Sequence, residues 1–141
     1  MRRQAKGRAV HDGNAFALGG VAGHAGLFGP LGDMARFLRL MMAPAAGGAL
    51  TAESVALMGS RQAASGDDVR GLGWRLEPRD WGPWPEGTMW HTGFTGTSLL
   101  LAPACRTAVV LLTNAVHPHR RLEDLAPVRA AVHQLVAEAF T

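Results

Sequence analysis

The spacing of apolar residues changes twice along this chain. Up to position 30 it is irregular. Leu18-Gly19-Gly20-Val21-Ala22-Gly23-His24-Ala25-Gly26-Leu27-Phe28 places a glycine every few positions. Each interior glycine costs a helix ~1 kcal/mol, so this stretch reads as a glycine-bent apolar loop. From Leu31 the spacing becomes helical. Leu31, Met34, Ala35, Leu38, Met41 and Met42 share one face, and Arg36 and Arg39 fall on the other. Pro30 suits a first helical turn and Asp33 lies near the positive end of the helix dipole. Pro44 and Gly47-Gly48 end this helix. Thr51 reads as the N-cap of a second short helix that turns Val55 and Met58 inward. Residues 59–70 read as a polar loop.

At Leu72 the period falls to two. Leu72, Trp74 and Leu76 alternate with Gly73, Arg75 and Glu77, which predicts a half-buried strand. A loop rich in Pro, Gly and Trp follows over 78–88. A second strand is expected over about 95–102. Pro103 then stands where a type I turn wants it. A third strand over 107–114 is apolar almost throughout, which asks for cover on both faces. The last element is a helix over about 123–140. Its expected buried stripe is Leu125, Val128, Val132, Leu135, Val136 and Ala139, with Arg129, Gln134 and Glu138 facing out. The predicted class is α+β: antiparallel sheet strands with a C-terminal helix packed on one face, plus an N-terminal loop and two helices. Residues 1–70 form the loop and helical part, and 71–141 the sheet with its last helix. Strand three and the apolar loop each lack an evident second cover, so exposed apolar surface is expected.

A length of 141 residues fits one domain or part of one. With 48% hydrophobic and 18% charged residues the chain suits a packed core and not a disordered segment. The net charge of +3 raises the question of nucleic acid. The arginines are scattered, however, and no nucleic-acid-binding pattern is present, so that class is set aside. Arg2, Arg3, Lys6 and Arg8 read as a solvated tail. Cys105 is the single cysteine, which leaves no intrachain disulfide. No apolar run approaches the ~18 residues of a membrane-spanning helix, and the basic start lacks the apolar stretch of a signal peptide. His11-Asp12 and His117-Pro118-His119 do not assemble three metal ligands, and no metal or cofactor is expected. His24 reads as a packed, satisfied histidine.

The richest chemistry lies in Trp90-His91-Thr92-Gly93-Phe94-Thr95-Gly96-Thr97-Ser98, followed by Leu99-Leu100-Leu101-Ala102. Small residues feeding a strand bring bare backbone and hydroxyls up to a ligand. This segment resembles the Lys-Thr-Gly element of serine β-lactamases and penicillin-binding proteins, with His91 in place of the lysine. Three further stretches share the resemblance in the same order. They are Val10-His11-Asp12-Gly13-Asn14-Ala15 through Phe28, Gly71-Leu72-Gly73-Trp74, and Leu111-Leu112-Thr113-Asn114-Ala115-Val116-His117-Pro118. Nearly the whole chain, from about Gly7 to Phe140, is therefore similar to the C-terminal portion of a β-lactamase-related serine hydrolase of the class C and penicillin-binding-protein-like group.

The resemblance implies a partial β-lactamase/transpeptidase-like fold. It implies acyl transfer in the complete enzyme: serine attack on an ester or amide, an acyl-enzyme, then hydrolysis, as in an esterase, a β-lactamase or a D-Ala-D-Ala peptidase. It assigns substrate binding to His91, Thr92, Gly93 and Phe94. His91 would act as electrostatic partner or donor, Thr92 through its hydroxyl, and Phe94 through its backbone N–H as one oxyanion donor. The partner is then a small-molecule ester or amide, or a peptide. Relatives of this kind are often periplasmic, secreted or membrane-anchored in bacteria; the chain's own compartment is not legible. Two departures stand out. Lys6 is the only lysine and position 3 is Arg3, so no Ser-x-x-Lys motif exists, and there is no tyrosine. No complete catalytic set lies on this chain, which is expected to be inactive alone. The alternative is a non-catalytic module that binds a peptide or partner along the 91–98 edge.

Overall fold

The computed structural model describes residues 10–44, 49–119 and 125–140. They fall into two compact units, Met1–Pro30 and Leu31–Thr141. In the first, Asp12 caps a short helix, α1 (Gly13–Ala17), by accepting the Ala15 N–H at 2.8 Å. Capping carboxylates satisfy backbone donors that a helix start leaves orphaned. The glycine loop follows. Gly26 sits at φ +120°, and a side chain there would run into the Gly20 carbonyl, so the loop folds back on itself only because both positions are bare. The loop's large apolar side chains are not roofed: Leu27 is 98% exposed and Val21 86%. His24, expected to be packed, is exposed instead, because its ring reaches the Asp12 carboxylate at 3.0 Å.

The second unit opens with α2 (Leu31–Met42) and α3 (Ala52–Met58), where the sequence places them. Thr51 caps α3 by accepting the Ser54 N–H at 3.1 Å. A six-stranded antiparallel sheet follows, its strands side by side in chain order: β1 (Ala63–Ser65), β2 (Asp68–Arg70), β3 (Arg75–Leu76), β4 (Met89–Thr92), β5 (Ser98–Ala102) and β6 (Thr107–Leu111). The expected meander of three strands is thus only part of the sheet. The 59–70 stretch holds the β1–β2 hairpin, turned at Gly66 with φ +57°. Every residue of β1 is exposed, so it carries no apolar alternation to read. The strand expected from Leu72 shrinks to Arg75–Leu76, because Gly73 at φ +74° and the Gly71 N–H bond to the Trp74 carbonyl make a turn of its first half. The strand expected over 95–102 begins at Ser98, and β4 is a separate strand before it. Strand three ends at Leu111.

β5 lies between β4 and β6, and its side chains divide by alternation. Leu101 joins Leu38 and Met41 of α2 with Met89 and Leu76, and Val55 and Met58 of α3 pack at the margin. Leu100 and Ala102 join Val109 and Trp81 on the other face, under Ala130 and Val136 of α4 (Leu125–Phe140). The cover that strand three needs is therefore supplied within this chain, by α2 on one face and α4 on the other. Leu100 and Leu101 are fully buried.

α4 does not present the stripe that its apolar residues suggest. His133 and Ala137 are buried, Arg129 and Ala130 are half-buried, and Val128 and Leu135 are exposed at 45% and 67%. Apolar residues line more than one face of this helix, so periodicity allows two orientations. Contact selects between them. A side chain at Gly82 would meet Ala137 Cβ at 3.0 Å and Gln134 Cα at 3.1 Å, so helix and loop approach closely there. The His133 ring stacks on Trp81 with centroids 4.1 Å apart and planes 10° apart.

Candidate functional site

β4 carries His91 and Thr92 to the end of the sheet, where a tight turn over 93–97 returns the chain as β5. Thr92 pairs with Ser98 and His91 with Leu99. His91 and Thr92 therefore end one strand, and β5 stands between them and β6. Two backbone bonds close the turn. The Gly93 N–H donates to the Thr97 carbonyl at 2.8 Å and the Gly96 N–H to the Gly93 carbonyl at 3.0 Å. Gly96 sits at φ +106°, and a side chain there would collide with Thr113 and Leu125. One at Gly93 would strike the Thr97 hydroxyl. Glycine at these two places closes the turn, so the strand expected from about 95 begins only at Ser98.

β3 pairs only with Met89 and Trp90 of β4. Among the described residues, the far edge of His91 and Thr92 has no strand partner. His91 is exposed, and its Nδ1 lies 2.9 Å from the Thr92 carbonyl. A carbonyl oxygen only accepts, so Nδ1 is the donor of this bond. Phe94, at the turn's tip, is 56% exposed. The four residues assigned to substrate binding are thus contiguous at one end of the sheet.

Two residues of α4, one expected to face solvent and one that the sequence reading does not single out, pack against this turn. Arg129 was expected to face solvent. Instead its Nε donates to the Gly96 carbonyl at 2.8 Å and its Nη2 to the Gly93 carbonyl at 2.9 Å. One helical turn on, His133 Nε2 lies 2.9 Å from the Ser98 hydroxyl, and both groups are buried. Burial, and then the nearby Arg129 charge, push His133 down to about 4, so the imidazole is neutral near pH 7. The available signal was Arg129 and His133 at i and i+4, which share a face of the helix.

Behind the turn, the Ala115 N–H donates to the Thr95 carbonyl at 2.8 Å. The Asn114 side chain accepts from the Val116 and His117 N–H groups. Among the described residues no group of three His, Cys, Asp or Glu is placed to hold a metal ion, and no helix is long and apolar enough to cross a membrane. In the first unit, the Ala15 N–H and then His24 hold the Asp12 carboxyl below the usual carboxylate range.

The family model described as Beta-lactamase matches residues 1–134. A protein of Escherichia coli O157:H7 named "Putative D-alanyl-D-alanine carboxypeptidase" is 35% identical over an alignment of 116 residues, covering 77% of this chain and 27% of the relative. The N-acetylmuramyl-L-alanine amidase of Bacillus subtilis (strain 168) is 37% identical over 121 residues, covering 77% of this chain and 26% of the relative. Among solved structures, a β-lactamase from Mycobacterium bovis superposes with a TM-score of 0.65 at 20% identity, covering 83% of this chain and 46% of that one; this likeness shows the fold. The chain spans about a quarter of the length of the curated relatives it matches.

Proposed function

The chain belongs to the β-lactamase family of serine hydrolases, and from that membership we propose that it forms the C-terminal portion of a single β-lactamase-like domain. It contributes the sheet and one wall of an acyl-transfer cleft, with His91, Thr92, Gly93 and Phe94 as the substrate-binding residues. The observation that carries this reading is the turn itself, which leaves the His91 ring exposed and anchored at the open end of β4.

In the completed enzyme a serine from the remainder of the domain attacks the carbonyl of an ester or amide. The Phe94 N–H is one of two donors to the developing oxyanion, worth several kcal/mol when aligned with its partner. The Thr92 hydroxyl and the His91 ring meet polar groups of the substrate on the open strand edge. The named relatives make a peptide or muropeptide-like amide the first substrate class to try. This sequence has neither Ser-x-x-Lys nor tyrosine, so the isolated chain is inactive.

A fluorophosphonate or β-lactam probe, read by intact-mass spectrometry, checks that last statement. No adduct is expected. Stoichiometric labelling of Ser54, Ser60, Ser65 or Ser98 would contradict it. The open edge of His91 and Thr92 also suits a second reading, a non-catalytic module that pairs with an extended peptide. Saturable binding of a peptide to the isolated chain, mapped to residues 91–98, would favour that reading.

A further inference from the structure

We propose that Arg129 is a positioning residue that aims the Phe94 N–H by holding the opposite end of the same peptide unit. The proposal rests on the substrate-facing reading of the 93–97 turn. A trans peptide is planar, and its C=O and N–H point in opposite directions. The carbonyl of the Gly93–Phe94 peptide is held by Arg129 Nη2 at 2.9 Å and by the Gly96 N–H at 3.0 Å. Fixing that oxygen toward α4 turns the Phe94 N–H away from α4. The same holds one turn-corner later. Arg129 Nε takes the Gly96 carbonyl at 2.8 Å, which sets the direction of the Thr97 N–H.

The choice of arginine follows. A guanidinium is a rigid plane with its donors at fixed spacing. Two carbonyls three residues apart in the chain are thereby locked at one separation, and charge assistance strengthens both bonds. Lysine offers a single ammonium on a flexible stem and cannot impose that spacing. Arg129 is itself located by the helix that bears it. Ala137 seats against Gly82, and His133 stacks on Trp81 while bonding Ser98 at the far end of the turn. α4 thus holds the turn at Gly93, Gly96 and Ser98, and packing against Trp81 transmits its position.

The test measures the direction of the N–H vector in the whole 141-residue chain, using residual dipolar couplings of the isotopically labelled, weakly aligned protein. Arg129→Ala is expected to reduce the Phe94 coupling at least twofold and to speed Gly96 amide exchange at least tenfold. The couplings of Leu99, Leu100 and Leu101 should hold. Arg129→Lys is expected to recover less than half of the loss, and it carries the test alone if the alanine variant does not fold. An unchanged Phe94 coupling overturns the proposal. So does an equal loss at Leu99, Leu100 and Leu101, because Arg129 would then support the sheet at large. No substrate enters this measurement, so its failure is distinct from failure of the functional reading, which is decided by catalysis in a completed enzyme.

Discussion

At the residue scale, two positions near the turn make measurable demands. Gly96 lies at φ +106°, and a Cβ there would meet Thr113, Leu125 and Ala115. Gly96→Ala therefore combines left-handed strain with a collision, and is expected to cost about 1–3 kcal/mol or more. Urea denaturation measures this; a change below about 0.5 kcal/mol, the size of an ordinary surface substitution, would count against the turn. His133 sets a pH dependence. Burial lowers it from 6.5 to about 4, so between those values the unfolded chain binds the proton and the folded one does not. Its contribution is complete above about pH 6.5 and is lost as pH falls toward 4. The loss is expected to total roughly 3 kcal/mol, at 1.36 kcal/mol per unit. The Asp12 and Asp68 carboxyls are shifted below 3.8, so their contributions fall away only at still lower pH. Denaturation midpoints of wild type and His133→Gln across pH 4–7 should diverge in slope. Parallel curves would mean that His133 is not buried neutral.

At the element scale, α2, α3 and the existence of α4 were legible, whereas α1 falls in the stretch read as irregular and the sheet was only partly legible. α2 and α3 carry clear apolar spacing and, at Thr51, a capping side chain that forms the expected bond. β1 has no buried face, β3 is two residues long, and β4 falls between the loop expected over 78–88 and the strand expected from about 95. Strand alternation is a signal of one buried face, and these strands offer too little of one. The last helix failed differently. Its apolar residues cover two faces, and only the approach of Ala137 to Gly82 and the His133–Trp81 stack choose between them; neither is visible along a single segment. A pair of substitutions checks this orientation. Leu100→Ala empties a fully buried site in β5 and is expected to cost about 2–5 kcal/mol. Leu135→Ser, on the exposed face of α4, is expected to stay within about 0.5 kcal/mol. A large loss from Leu135→Ser in thermal or chemical denaturation would restore the original stripe.

At the scale of the whole molecule, the second unit covers its sheet with its own helices, α2 on one face and α4 on the other. The family was legible from four short stretches in order, and the turn proposed to bind substrate follows the His91-Thr92-Gly93 element. The supports of that turn were not, because Arg129 and His133 meet it across more than thirty residues of chain. The central claim is that the 91–94 segment faces a substrate once the rest of a family domain is present. The most direct measurement combines this chain with an N-terminal portion bearing Ser-x-x-Lys and tyrosine, by fusion or in trans. The rate of acyl-enzyme formation on that serine is then followed, with and without His91→Ala. The account expects acylation to require both portions and to slow about tenfold with His91→Ala, the order of a lost charge-assisted or neutral hydrogen bond, while circular dichroism stays unchanged. Acylation at an equal rate without this chain, or an unaltered rate with His91→Ala, would contradict it.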